Sequence, residues 1–186
     1  VDEHDTSVII DLGSQFVRAG FSGELAPRVV VPTAMMTTRV AAESGLQLTT
    51  PVFGWEAEKL LVQMDSDAQP EVVLPRGNGS TRMAAQEVDW YGTVLPLLRH
   101  IFNNELRVSP EEYGCVLILP TCMSMEDKED LLDVMFDDLK VPKLTLQPTG
   151  PLALGAAHTG SATGLVISWG NSLQITPVCD CTILRD

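Results

Sequence analysis

The stretch VIIDLGSQFVRAGF, from Val8 to Phe21, has the pattern of two strands joined by a tight turn. The β-branched residues Val8–Ile10 predict the first strand, and the apolar residues of Phe16–Phe21 predict the returning strand. Gly13 and Ser14 supply the small residues of the turn. The stretch therefore predicts a β-hairpin at the start of the chain.

A near-repeat of this hairpin lies close to the other end of the chain. VIIDLGSQ is matched by LVISWGNS, residues 165–172, which predicts a strand over Gly164–Ser168, a turn, and a second strand over Leu173–Val178. We interpret the two segments as an internal duplication. A glycine-containing turn can direct backbone N–H groups at phosphate oxygens, and a carboxylate such as Asp11 can hold the waters of Mg²⁺. The side chain of Arg18 could reach the same phosphates.

Between the hairpins, the hydrophobic pattern alternates between helical and strand periods. It predicts strands over 29–31, 115–119 and 143–146, and helices over 55–64, 88–103, from Ser124 onwards, and 151–158. Pro96 should kink the second of these helices, and Ser124–Asp127 fits a capping box. The uninterrupted apolar run Cys115–Leu119 predicts a strand buried on both faces. The chain thus predicts a mixed sheet that begins with a meander.

Residues 34–50 are small, polar and rich in threonine. We predict a surface excursion without regular structure, in which Met35, Met36 and Leu46 would be contact residues for a partner.

Composition restricts the classes of partner and compartment. The chain has 186 residues, is 45% hydrophobic and carries a net charge of -13. The hydrophobic content predicts a packed core. The negative charge disfavours direct binding to nucleic acids or to an anionic membrane surface, because it would repel their phosphate groups. The four cysteines, Cys115, Cys122, Cys179 and Cys181, form no Cys-X-X-Cys pair, so we expect reduced thiols in an intracellular protein rather than a zinc site. The chain begins with Val, which suggests processing or a portion of something longer.

Five segments in order resemble actin and the actin-related proteins. They are DLGSQFVRAGFSGELAPRVVVPT (11–33), FGWEA (53–57), IFNNELRVSPEEYGCVLILP (101–120), VMFDDLKVPKL (134–144) and TGLVISWGNS (163–172). The portion NELRVSPEE is the most specific, and it disfavours a sugar- or acetate-kinase relative of the same superfamily. The resemblance covers nearly the whole chain.

This resemblance implies an α/β, actin-like fold in which each of two lobes is built on an RNase H-like mixed sheet, with ATP and a divalent cation between them. Residues 1–32 and 70–150 would form the first-lobe core, 33–69 the small outer subdomain, and 151–186 the beginning of the second lobe. The chain would stop after the second phosphate hairpin.

The resemblance also implies nucleotide-binding residues in both hairpins. They are Asp11, Gly13, Ser14, Gln15 and Arg18 in the first hairpin, and Gly170, Asn171 and Ser172 in the second. Asp11 would also be the metal residue for Mg²⁺ bound to ATP or ADP. In the first hairpin Arg18 replaces the family's lysine, which keeps the charge but changes its shape. Gln15 replaces a glycine, and its side chain leaves less room for a phosphate close to the backbone.

The second hairpin departs further from the family pattern Asp-Ser-Gly-Asp-Gly. Ser168 and Asn171 replace both carboxylates. The glutamine that orients the attacking water in the family falls near Thr149–Pro151, where no carboxamide is present. Asn78 replaces a histidine. We therefore expect very weak or absent ATP hydrolysis. Two alternatives stay open: nucleotide binding without turnover, and hairpins that are kept only because the sheet needs them.

These departures favour a non-polymerising structural subunit of a larger cytoskeletal or motor-associated assembly, bound to protein partners in a multi-subunit complex. The altered segment 34–51 disfavours filament growth of the actin type. The alternative is an ATP-binding switch subunit, for example of a chromatin-remodelling complex. The expected location is cytoplasmic or cytoskeletal, since no basic nuclear-import cluster is present, with the nucleus as the alternative.

Overall fold

The computed structural model describes residues 6–37, 39–42, 45–48, 51–63, 71–73, 89–120, 123–157, 160–169 and 173–184. The strands are β1 (Ser7–Leu12), β2 (Phe16–Phe21), β3 (Val29–Pro32), β4 (Met35–Thr37), β5 (Arg39–Ala42), β6 (Gly45–Leu48), β7 (Val52–Phe53), β8 (Glu71–Val73), β9 (Gly114–Leu119), β10 (Leu144–Pro148), β11 (Gly164–Trp169), β12 (Leu173–Cys179) and β13 (Thr182–Ile183). The α-helices are α1 (Gly54–Gln63), α2 (Leu95–His100), α3 (Met125–Asp133) and α4 (Thr149–Ala156). Wider π-type turns at Trp90–Val94 and Ile101–Leu106 flank α2, another at Val134–Asp138 extends α3, and Pro110–Glu112 is a short 3-10 turn.

A five-stranded mixed sheet has the strand order β10-β9-β1-β2-β3. The first three strands pair antiparallel, which confirms the predicted meander, whereas β9 lies parallel to β1 and β10 lies parallel to β9. Parallel neighbours need crossover connections. The helical residues 90–106 precede β9 and the helical residues 125–138 connect β9 to β10, so both predicted helices serve as crossovers.

The main core lies between one face of this sheet and the crossover helices. Its fully buried side chains include Val8, Ile10, Leu97, Leu98, Ile101, Phe102, Leu117, Leu131 and Met135. The helix predicted over 88–103 runs from Trp90 to Leu106. Pro96 lies inside this helical run, directly after the π-type turn Trp90–Val94, in which the Leu95 N–H donates to the Trp90 carbonyl. The change of hydrogen-bond pattern thus occurs where the proline has no N–H to donate. The predicted kink stays a prediction. Ser124 caps α3 as predicted, accepting a hydrogen bond from the Asp127 N–H over 3.0 Å.

The prediction that β9 is buried on both faces is wrong. Cys115, Leu117 and Leu119 are buried, but Val116 and Ile118 are only half-buried. The crossover helices cover one face of the sheet, and on the other face Ile118 borders an open cleft. An apolar run by itself does not reveal how many faces are covered, because both arrangements favour the same residues.

The prediction of an unstructured surface excursion over 34–50 is also wrong. β4 pairs with β7 and β8, and β5 pairs with β6 as a hairpin. Met35 and Met36, expected as contact residues, are buried at 4% and 2% exposure. Met36 packs with Ala34 and Ala57 in a second small core, since the start of α1 covers this strand. Leu46 lies in β6, but its side chain is outside the described part of the chain.

A separate three-stranded antiparallel sheet, ordered β11-β12-β13, repeats the arrangement of β1, β2 and β3. On one face Thr176 and Val178 are buried, and α4 contacts this sheet. The opposite face carries large exposed apolar side chains: Leu165, Ile167, Trp169, Leu173 and Ile175. The shared strand order supports the predicted duplication. The bounds of the three predicted domains stay predictions.

Burial of Cys115 raises the pKa of its thiol to about 12. The unfolded thiol ionises near pH 8.5, so above that pH the unfolded state loses a proton that the folded state retains. The contribution of the buried, protonated Cys115 thiol to the free energy of unfolding is therefore complete below about pH 8.5 and is lost as the pH rises. We expect the stability difference between the wild type and Cys115→Ala to shrink by about 1 kcal/mol from pH 7 to pH 9. Urea unfolding at both pH values measures this, and an unchanged difference would contradict it.

Candidate functional site

The first hairpin is built by β1 and β2, with Gly13, Ser14 and Gln15 between them. Gly13 is required because a Cβ atom there would overlap the carbonyl oxygen of Phe16. The side chain of Ser14 is half-buried and that of Gln15 is exposed. The structure thus brings the predicted turn residues together in one tight connection.

Thr33 holds this turn from behind, a role that the sequence reasoning missed. Its side-chain hydroxyl donates a hydrogen bond to the Gly13 carbonyl over 2.8 Å, and its N–H donates to the Gln15 carbonyl over 2.8 Å. Thr33 is 4% exposed, so both bonds are shielded from water. No local signal marks this role, because the two carbonyl groups that Thr33 binds lie far earlier in the chain.

The backbone N–H groups of the turn determine which kind of ligand it could bind. Within the described ranges, the N–H groups of Gly13, Ser14 and Gln15 donate no hydrogen bond, whereas the carbonyls of Gly13 and Gln15 are bound by Thr33. A cluster of successive N–H groups on one side of a turn can accept an anion. The backbone of the first hairpin therefore suits phosphate oxygens.

Asp11 and Arg18 lie side by side on the sheet face opposite the main core. They are register partners in the antiparallel β1–β2 pair, so their side chains share one face. Arg18 Nη1 is 3.3 Å from Asp11 Oδ2, and the side chains are 48% and 33% exposed. An ion pair this exposed contributes only about 0–1 kcal/mol to stability. The ion pair is therefore of interest for its position next to the turn amides, as part of a candidate ligand site, and not for its contribution to stability.

A cleft of about 300 Å³ opens next to this ion pair. Its walls are the open face of β1, β2 and β9 and the connection from β2 to β3, and its lining includes Ile9, Asp11, Arg18, Glu24, Pro27 and Ile118. That connection is itself ordered, since Glu24 accepts hydrogen bonds from the Phe21 N–H and from Arg28. The hydrogen bond from the Phe21 N–H lowers the pKa of the Glu24 carboxyl. The volume is at the lower limit for small-molecule sites.

The second hairpin is described only up to its turn. β11 and β12 pair antiparallel, with Ser168 opposite Gln174 and Trp169 opposite Leu173. Gly170, Asn171 and Ser172 lie outside the described residues, so their predicted role in nucleotide binding stays a prediction. Ser168 is exposed and offers a hydroxyl where the family pattern has a carboxylate.

The junction between the two sheets contains Thr149–Pro151, where the family's glutamine was expected to fall. The Thr149 hydroxyl donates a hydrogen bond to the Leu119 carbonyl over 2.9 Å. Gly150 is buried against Thr176, and a Cβ atom at Gly150 would lie 2.7 Å from Thr176 Cγ2. These residues join the start of α4 to the end of β9 and to β12. None of them presents a carboxamide.

Within the described ranges, no three His, Cys, Asp or Glu side chains converge closely enough to hold a metal ion. Asp11 supplies one carboxylate, and an arginine is its neighbour. The described residues therefore do not by themselves fit a magnesium site. Asn78, which replaces the family's histidine, lies outside the described residues. None of the helices in the described ranges has both the length and the apolar character needed to cross a bilayer.

Comparison with known proteins agrees with this architecture. The family model described as Actin matches residues 2–186. The chain is 24% identical to actin-related protein 3 of Acanthamoeba castellanii over 94% of the chain and 43% of that relative. It is 30% identical to actin-related protein 2 of Oryza sativa subsp. indica, over 93% of the chain and 42% of that relative.

A third relative is actin-like protein 7B of Rattus norvegicus, which is 23% identical over 96% of the chain and 40% of the relative. The chain thus spans about two fifths of the length of the curated relatives it matches. The five-stranded mixed sheet with its crossover helices is the α/β sheet of the first lobe. On the match over residues 2–186 together with this sheet, the chain belongs to the actin family.

Proposed function

We infer that this chain is part of a non-polymerising structural subunit of a larger cytoskeletal or motor-associated assembly, and that its ATP site does not turn over. The observation that carries the inference is the second hairpin, where Ser168 and Asn171 replace both carboxylates of the family pattern. Without them, one carboxylate, Asp11, remains for a metal held between two hairpins. Electrostatic support for Mg²⁺-ATP is therefore weakened.

The junction residues support the same conclusion. Attack on the terminal phosphate needs a water molecule that is oriented by a hydrogen-bonding side chain. Thr149 uses its hydroxyl to bind the Leu119 carbonyl, and neither Gly150 nor Pro151 has a polar side chain. The residues at the position expected for the water-orienting group thus have a structural role. Hydrolysis would lack a side chain that orients the attacking water, and neither neighbouring residue can supply one.

The assembly role rests on family membership and on the altered outer segment. Actin-related protein 2 and actin-related protein 3 are among the similar proteins. Both names describe a relative of actin and not actin itself. We propose protein partners in a multi-subunit complex, no direct nucleic-acid or membrane contact, and a cytoplasmic or cytoskeletal location, with the nucleus as the alternative. The net charge of -13 is consistent with protein rather than phosphate-rich partners.

The first hairpin favours a second candidate, an ATP-binding switch subunit such as those of chromatin-remodelling complexes. Its turn amides are available and Thr33 holds the turn in place. In a switch of this kind, ATP would bind with Mg²⁺ and Asp11→Ala would abolish the affinity. Loss of affinity in that variant would favour the switch over the structural subunit.

We expect the full-length protein to release no phosphate from Mg²⁺-ATP above the buffer blank and to form no filaments that pellet at high speed. Conventional actin, assayed in parallel, is the positive control. The double variant Ser168→Asp/Asn171→Asp restores both carboxylates and should gain metal-dependent ATP binding. Turnover or pelleting comparable with actin would overturn the proposed function.

A further inference from the structure

The Arg18 guanidinium lies where two features of the first hairpin meet. Its Nη1 is 3.3 Å from Asp11 Oδ2 and 3.8 Å from the position that a Cβ atom of Gly13 would occupy. It is therefore next to both the metal-type carboxylate and the turn whose amides suit phosphate. The two side chains face the open cleft and not the main core.

A guanidinium in this position has the chemistry to serve as a resident cation. It carries five N–H donors in a rigid plane, is always charged, and can bridge a carboxylate and a phosphate at the same time. A divalent cation instead needs oxygen ligands, and several carboxylates increase its affinity. The described residues provide one carboxylate next to a fixed positive charge, an arrangement that repels a second cation.

We propose that Arg18 takes the place of the divalent cation, so that this hairpin holds the triphosphate group of a nucleotide without Mg²⁺. Asp11 then acts as the counter-ion that positions Arg18 and does not act as a metal ligand. Arg18 and the turn amides of Gly13–Gln15 bind the phosphate oxygens. The proposal deepens the non-hydrolysing site described above and rests on it, because it specifies what that site still recognises.

The two possible roles of Asp11 predict opposite effects of the same substitution. If Asp11 held a metal, Asp11→Asn would weaken nucleotide binding, since the amide is a poorer ligand for Mg²⁺. If Asp11 is the counter-ion of Arg18, Asp11→Asn keeps a side-chain oxygen that accepts a hydrogen bond from the guanidinium and so still positions it, while the substitution removes a negative charge near the phosphates. We expect the affinity of Asp11→Asn to be equal or up to about tenfold higher.

Calorimetric titration of the full-length protein with ATP, and separately with inorganic tripolyphosphate, tests the proposal in excess EDTA and in excess Mg²⁺. Wild-type affinities should agree within about threefold between the two conditions, because no bound cation contributes. Arg18→Gln should weaken binding at least about tenfold. Arg18→Lys should keep the metal independence and bind a few-fold more weakly than the wild type.

Arg99→Gln is the matched control for Arg18→Gln. It removes the same charge, but Arg99 lies in α2, away from the residues that line the cleft, and its Nη2 is 3.8 Å from Asp138 Oδ1. We expect its affinity for ATP to be unchanged. Thermal unfolding of each variant identifies any that fails to fold, and in that case Arg18→Lys and Asp11→Asn still decide the question.

Binding that requires Mg²⁺ would overturn the proposal, and so would loss of affinity in Asp11→Asn. Absence of binding of both ligands in both conditions would also overturn it, but would leave the non-hydrolysing structural subunit intact. Metal-independent binding together with hydrolysis of ATP would support the proposed role of Arg18 and would contradict the non-hydrolysing structural subunit. The two inferences are therefore separated by the same set of measurements.

Discussion

Replacement of Phe102 by alanine is expected to lower the free energy of unfolding by about 3–5 kcal/mol, the largest effect of any single substitution that we propose. Phe102 is fully buried at 0% exposure and is among the largest side chains of the main core. It belongs to the π-type turn after α2, which packs against the five-stranded sheet. Truncation removes apolar surface and leaves a cavity that the surrounding sheet and helix close only in part.

Equilibrium unfolding in urea measures this effect, with Phe102→Leu as the matched control. Leucine fills most of the same volume and should cost less than about 1.5 kcal/mol. Phe136, which is 42% exposed, provides a second comparison, since Phe136→Ala should change stability much less. Equal losses at Phe102 and Phe136 would show that the core is not located where the structure places it.

Replacement of Gly13 by alanine is expected to destabilise the protein by about 1–3 kcal/mol and to abolish the phosphate binding that we propose for the first hairpin. The added Cβ atom would overlap the carbonyl oxygen of Phe16. Because this is a backbone atom, the clash cannot be relieved by a side-chain rotation. The turn must shift, and the hydrogen bonds from Thr33 to Gly13 and Gln15 would shift with it.

The matched control is Gly155→Ala. A Cβ atom at Gly155 meets nothing within 4 Å, and the residue lies in α4. Alanine there should stabilise the protein by about 0.5–1 kcal/mol, because glycine loses more backbone entropy in a helix. Urea unfolding and ATP titration should be run on both variants. Unchanged stability and ATP binding in Gly13→Ala would refute the hairpin geometry.

Local pattern was sufficient for most of the elements. β2 begins and ends at the residues predicted for it, and β1, β3, β11 and α1 were predicted within a few residues. Each is specified by neighbouring residues: β-branched runs for strands, glycine for the turns, and the serine cap before α3. The sequence also indicated the duplication, because the two hairpins share a spacing that is visible without coordinates.

The candidate site was predicted by residue type, and its geometry was not. Asp11, Gly13 and Arg18 were identified as phosphate or metal residues, but their sequence positions did not show that Arg18 pairs with Asp11. That contact depends on the β1–β2 register, which places the two side chains on one face. Thr33 was missed because its hydrogen bonds reach back to residues distant in sequence, and such long-range partners have no local signal.

By itself, the sequence determined the family, the order of the main strands and helices, and the residue types that the two hairpins contain. These depend on residue type and short-range spacing, which are present in the chain before it folds. Only the tertiary structure decided that Met35 and Met36 are buried and that Val116 and Ile118, on one face of β9, are only half-buried. It also decided that Arg18 lies against Asp11. Burial and cross-strand contact depend on which distant segments pack together, and a linear pattern of apolar and polar residues is compatible with more than one such packing.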